Sequence, residues 1–164
     1  MKKQMILILA LLMVLPAVLS SCGSTQDREE TENTVQELDQ IFPAEYKGDP
    51  AYNTGESYLS VLKASGNNMI TSFRMEKGAR NYWHSHPDAE QTLMILSGEA
   101  YYQEEGQPKQ LLHAGDVVVT AANAKHWNGA TEKSACTCLT VSERNDQEHA
   151  IWYEPVTDAE FSGS

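Results

Sequence analysis

His84 and His86 stand one residue apart. In an extended segment side chains alternate with period two, so both imidazoles face the same side. Gln91 follows at the head of an apolar run, residues 91–96, which reads as a buried strand that Gly98 ends. Imidazole nitrogens and an amide or carboxylate oxygen brought together on one β-surface are ligands for a divalent transition metal. A second segment opens on Gly115 and closes on His126, a further imidazole. The rest of the chain has to bring these two segments together.

Short β-like runs separated by turn signals fill most of the sequence. They cover residues 57–62, 69–75, 91–96, 99–103, 109–112, 117–119, 124–128, 135–141 and 150–154, the last followed by a polar tail. The Val117, Val118, Val119 run reads as a buried strand by its length and β-branching. Many short strands at regular spacing predict an all-β sandwich or barrel, and closure is how such sheets hide their edges. The spacing of Val35, Leu38, Ile41 and Phe42 permits one short helix before the first strand.

Lys2 and Lys3 precede an apolar stretch from Met5 to Leu19, interrupted by Pro16. This reads as a signal peptide, residues 1–21, too short to span a membrane comfortably. Residues 22–41 are polar and acidic, a composition that buries too little surface to offset its ordering entropy, so they read as a tether. Residues 42–161 suit a single domain with one core. With 23 acidic against 12 basic residues the formal net charge is −11, and removal of the leader takes two of the lysines with it. Such a balance argues against nucleic acid as a partner and against electrostatic attraction to anionic lipid.

Cys136 and Cys138 share an apolar, strand-like run. Extended geometry holds their Cα atoms near or beyond disulfide reach, so both are expected as free, mostly buried thiols. His113 and His149 are expected to face solvent, and Trp83 and Trp127 to serve as wall and core residues.

Together the two histidine segments resemble the two-part signature of the cupin superfamily. Gly78, His84, His86, Gln91 and Gly98 fill each slot of the first part, and Gly115 and His126 match the second with correct spacing. Ala121 stands where the family has Pro and Asn123 where it has Gly; Asn is among the few non-Gly residues that visit αL routinely, so the turn survives. Ala130 stands where the family usually closes the motif with Asn. Further pieces around Trp83, Tyr102, His126–Trp127 and Glu154 resemble small single-domain cupins linked to carboxymuconolactone decarboxylases, a group that includes hydroxynitrile (mandelonitrile) lyases. The resemblance implies a double-stranded β-helix, or jelly-roll barrel, and frequent pairing of such barrels makes a homodimer the expected assembly. Leu19-Ser20-Ser21-Cys22 resembles a lipoprotein cleavage box, which implies a cell-envelope protein attached through a lipidated Cys22 or else secreted.

By that resemblance the metal ligands are His84, His86, Gln91 and His126, with Glu90 the competitor for the fourth place. Gln91 is preferred because it keeps the spacing to Gly98, while Glu90 would point to the opposite face. Three imidazoles and an amide oxygen suit Mn, Fe, Ni, Co or Zn and leave positions open for a small-molecule ligand. Two departures bear on activity. The lyase-like members have a His where this chain has Asn128, and tend to have one where it has Cys138. Those imidazoles would be the acid–base groups, so Asn128 and Cys138 are the candidate catalytic positions here. Two function classes follow: an enzyme of lyase, isomerase or dioxygenase type acting on a small carbonyl or hydroxy compound, or a non-catalytic protein that binds a ligand or a metal.

Overall fold

A computed structural model describes Leu38, residues 41–143 and residues 150–163. The signal peptide, Cys22, nearly all of the tether and His149 lie outside the described residues. Of the helix permitted before the barrel, the described part is its end, where the Phe42 N–H donates to the Leu38 carbonyl at 2.6 Å.

Twelve strands form one curled antiparallel sheet: β1 (Tyr46–Lys47), β2 (Asn53–Thr54), β3 (Ser57–Ser65), β4 (Asn68–Met75), β5 (Arg80–Asn81), β6 (His84–Ser85), β7 (Gln91–Glu104), β8 (Gln110–His113), β9 (Val117–Thr120), β10 (His126–Ala130), β11 (Cys136–Glu143) and β12 (Ile151–Trp152). A short helix, α1 (Asp158–Ser162), follows. The main path runs β1-β3-β4-β11-β7-β10-β5-β2, with β8 and β9 on β7 and the β6–β12 pair on β10. The expected all-β jelly-roll is what the chain forms.

The strand that holds the two halves together is β7. Its first half pairs with β11 and β9, and its second half with β10 and β8. Residues 91–96 and 99–103, expected as two strands with Gly98 as the stop, are thus one strand that passes from one half of the curled sheet into the other. Gly98 has φ +71° and sits at the switch. Buried positions run Gln91, Leu93, Ile95, Ser97, then change parity to Ala100 and Tyr102. One extra residue turns the inward face over, which is what a bulge does.

The run 117–119 is a strand but not a buried one: Val117 and Val119 are 58% and 55% exposed. β9 pairs with β7 alone, and on such an edge β-branching reports extended backbone without reporting two-sided burial. Cys136 and Cys138 are free and buried, in a cluster with Met75, Leu93, Ile95 and Tyr102.

The polar tail also departs from expectation. Thr157 caps α1 by accepting from the Glu160 N–H at 3.2 Å, and the Glu160 carboxylate accepts from the Thr157 N–H at 2.7 Å, a capping box. Phe161 is buried with Trp83, Trp127 and Val156 in a second cluster. Arg80, itself buried, donates to the Val156 carbonyl at 3.1 and 3.2 Å and to Asp158 at 2.6 Å, and lies over the Phe161 ring. The C-terminal segment is thereby clasped to the barrel, and with it β12.

Candidate metal centre

His84 starts on β6, and its register partner across the sheet is His126, the first residue of β10. His86 lies two residues after His84. The imidazole centroids are 4.2 Å apart for His84–His126, 5.1 Å for His84–His86 and 5.5 Å for His86–His126. One ring nitrogen from each lies within 4.8 Å of the others. All three rings are buried.

Local hydrogen bonds fix how two of these rings present themselves. His84 Nδ1 lies 3.0 Å from the Tyr82 carbonyl and His126 Nδ1 lies 3.0 Å from the Ala124 carbonyl. A carbonyl only accepts, so each Nδ1 carries the proton and each Nε2 offers a lone pair to the site. This is the backing that metal-ligating histidines have. Burial pushes the His126 pKa from 6.5 down to about 4. Burial, then the facing His126 and His86 rings, hold His84 well below its ordinary value.

Gln91, the first residue of β7, reaches into this cluster. Its Nε2 is 2.8 Å from His86 Nε2 and its Oε1 is 3.4 Å from His126 Nε2. With the His126 proton held on Nδ1, the second contact sets an oxygen lone pair against a nitrogen lone pair. A cation between them resolves that contact, so the donor set fits a divalent metal. Glu90 is exposed and does not line the cavity described next, whereas Gln91 does.

Two non-glycine residues in left-handed backbone tie the ligand-bearing segments together: Asp88 with φ +50° and Asn123 with φ +66°. Asn123 takes the conformation expected of it, and its side chain does more than tolerate the turn. Its Oδ1 accepts from the Asp88 N–H and its Nδ2 donates to the Asp88 carboxylate, both at 3.2 Å, while its own N–H donates to the His86 carbonyl at 2.9 Å. Asn123→Ala is expected to lose both side-chain bonds and add αL strain, about 1–2 kcal/mol in chemical denaturation. Asn123→Gly relieves the strain and is expected to cost less. Equal losses would contradict the conformational part of this account.

The centre opens into a cavity of about 760 Å³. His84, His86, Gln91, Asn81, Asn128 and Trp152 line its polar side, and Leu59, Met69 and Phe73 its apolar side. Trp152, on β12, stacks on His84 at 4.8 Å and on Tyr52 at 4.7 Å. Among the described lining residues there is no Lys or Arg, and Asp49 is the sole carboxylate.

The two candidate catalytic positions part company here. Asn128 lies two residues after His126 on β10 and lines the cavity. Cys138 does not: it is 1% exposed, packed in the apolar cluster, and burial pushes its thiol up to about 12. Thr140, two residues further along β11, reaches the cavity instead. Asn81 and Trp152 carry no motif and were not expected in the site. His113 is exposed at the end of β8, near Glu99 and Asp116.

The depressed histidines carry a pH prediction for protein stripped of metal. A histidine whose folded pKa is lowered contributes stability that is present above its ordinary 6.5, because the unfolded chain takes up a proton before the folded one does. That stability is lost as pH falls from 6.5 through about 4, by roughly 3 kcal/mol from His126, with His84 adding in the same direction. Urea unfolding of chelator-treated protein at neutral pH and near pH 4 checks this. A flat profile across that window would contradict neutral, buried His84 and His126.

Residues 71–142 match the family model for the cupin domain. Over 90 residues the chain is 41% identical to an (R)-mandelonitrile lyase from Granulicella tundricola, covering 55% of this chain and 68% of that one. The crystal structure of a cupin-like protein from Thermotoga maritima superposes with a TM-score of 0.71 at 32% identity, over 75% of this chain and 95% of the other. A DMSP lyase, DddQ, from Ruegeria pomeroyi shares the fold at a TM-score of 0.53 and 22% identity, over 65% and 54% of the two chains. A jelly-roll barrel with a buried three-histidine cluster, of which His84 and His86 line the cavity, has the form of a β-barrel suited to a divalent metal, and the chain belongs to the cupin family.

Proposed function

We propose that the protein is a metal-dependent cupin lyase acting on a small, uncharged carbonyl or hydroxy compound. One observation carries this reading: three buried imidazoles, two of them with Nδ1 held by a backbone carbonyl, converge with the Gln91 amide beside a cavity large enough for such a molecule. The sequence likeness to an (R)-mandelonitrile lyase supports the lyase class.

His84, His86, His126 and Gln91 would hold the ion, with Mn, Fe, Ni, Co and Zn all compatible with the donors. When bound, it supplies a Lewis acid that polarises the substrate oxygen. The chain's own part is binding and orientation. Asn128 offers an amide to the substrate but cannot titrate. Trp152 and the Leu59–Phe73 side confine the apolar part and keep water from it. Cys138 plays no part in this proposal, because a sealed thiol with a raised pKa neither reaches substrate nor ionises. Proton movement then falls to water and to the substrate itself.

A second reading is favoured by that same feature. Among the described cavity residues, no free imidazole stands where an acid–base group would act, which suits a protein that captures a ligand without turning it over. Metal-loaded protein incubated with (R)-mandelonitrile and with small α-hydroxy and carbonyl compounds separates the two. Product formed by the loaded protein, and lost on chelation and in His126→Ala, supports the lyase. Saturable ligand binding with no product at any metal supports the binding protein. We place either activity in the cell envelope as a homodimer anchored through Cys22; a mature N-terminus without a lipid adduct, read by mass spectrometry, would remove the anchor.

A further inference from the structure

Asn81 and Asn128 are joined by two hydrogen bonds. The Asn128 backbone N–H donates to Asn81 Oδ1 at 2.8 Å, and Asn81 Nδ2 donates to Asn128 Oδ1 at 3.0 Å. The direction of both amides follows from the first bond. A backbone N–H only donates, so the Asn81 atom facing it must be the oxygen. The other end of Asn81 is then its NH2, which only donates, so the Asn128 atom facing it must be an oxygen too. That leaves Asn128 Nδ2 turned elsewhere. It has no protein acceptor among the described residues, and it is not one of the sealed, unpartnered side-chain atoms. Asn128 is only 5% exposed, so the surface Nδ2 keeps opens on the cavity it lines.

We propose that Asn81 is a specificity-determining residue: by locking the Asn128 amide it makes the cavity present a fixed N–H donor, so that the site selects ligands carrying an acceptor-only oxygen or nitrogen at that position. A ligand that offers a donor to this position meets N–H against N–H and leaves both unpaired, which is costly inside a buried site. This inference rests on the reading of the cavity as the ligand site.

The lock can be inverted at almost constant volume. In Asn81→Asp the new carboxylate still accepts from the Asn128 N–H but can no longer donate to Asn128 Oδ1. Asn128 must then rotate its NH2 toward the carboxylate and turn Oδ1 into the cavity. Cyclopentanone and pyrrole serve as probes, two neutral five-membered rings of which the first only accepts and the second donates. Their binding to the full-length holoprotein is measured by calorimetry, with metal content determined for each variant. Wild type is expected to prefer cyclopentanone by about tenfold, and Asn81→Asp to lose or reverse that preference. Asn128→Ala, which removes the donor without placing a charge, is expected to bind both probes alike, and keeps the test alive if Asn81→Asp misfolds.

Equal affinities in wild type would overturn the proposal. So would a preference for cyclopentanone that persists unchanged in either variant at full metal content, because the metal alone would then be discriminating. Protein that holds no metal but keeps the preference would defeat the lyase reading while supporting the amide lock.

Discussion

His126→Ala is expected to weaken metal binding by more than about 100-fold, since losing merely the partner behind a ligand costs about 10–100-fold. Its ring is one of three that converge, its Nε2 faces Gln91 Oε1, and its Nδ1 is already committed to the Ala124 carbonyl, so no other atom of the side chain is spare. Removing a fully buried ring also leaves a cavity, and a stability loss of about 2–4 kcal/mol accompanies the effect. Competition against a chelating dye, on protein shown to be folded, separates the two. Gln91→Ala is expected to lose less affinity, because a neutral amide oxygen is the weakest of the four donors, and Glu90→Ala to lose none. Wild-type affinity in His126→Ala would mean that the ion sits elsewhere.

Gly98→Ala is expected to destabilise the fold by roughly 3–5 kcal/mol, or to prevent folding, through αL strain combined with overpacking. The glycine has φ +71°, and an added Cβ would stand 1.9 Å from the Ala135 carbonyl oxygen and 3.0 Å from its carbon. Backbone cannot step aside there, because Gly98 pairs with Cys136 where β7 passes between the two halves of the sheet. Gly78 and Gly115 provide the comparison. Both have positive φ, +74° and +97°, but an added Cβ would meet open space. Alanine at either is expected to cost the conformational strain alone, about 1–2 kcal/mol. Thermal unfolding of the three variants should rank Gly98 far below the other two. Similar losses at all three would show that the sheet switch tolerates more adjustment than its geometry indicates.

The longer strands and the histidine triad were legible because each follows a local rule. Short runs of strand-forming residues bounded by turn signals mark strands, as in β4 and β11. Two histidines with one residue between them face the same way in extended chain. What escaped was set by partners distant in sequence. Gly98 gives the same local signal for a turn as for a strand that continues, and only its pairing with Cys136 on β11 decides. The valines of β9 announce extended backbone, but nothing within the run says that it will sit at an edge. β1, β2 and β5 are two residues each, too short to show alternation. α1 had a readable start in the Thr157–Glu160 capping box, yet five residues with a single buried side chain carry no periodicity.

The site divides along the same line. His84, His86, Gln91 and His126 lie in two compact segments whose spacing could be read. Asn81 meets Asn128 across 47 positions of sequence through the β5–β10 pairing, and Trp152 arrives from the far end of the chain on the clasped β12. Cys138 shows the converse. Its place where the lyase-like members tend to have a His invited a chemical role, yet it packs in the apolar cluster and does not line the cavity. Ligand residues follow from a motif, whereas the walls that choose the substrate follow from packing.

The central claim is that His84, His86 and His126 bind a divalent metal. Elemental analysis of the full-length protein, purified without added metal and dialysed, tests it most directly, with the His84→Ala and His126→Ala variants prepared alongside. The account predicts about one equivalent of a divalent transition metal per wild-type chain and close to none in either variant. Wild-type protein that carries no metal, and takes up none when Mn, Fe, Co, Ni or Zn is offered at neutral pH, would contradict it.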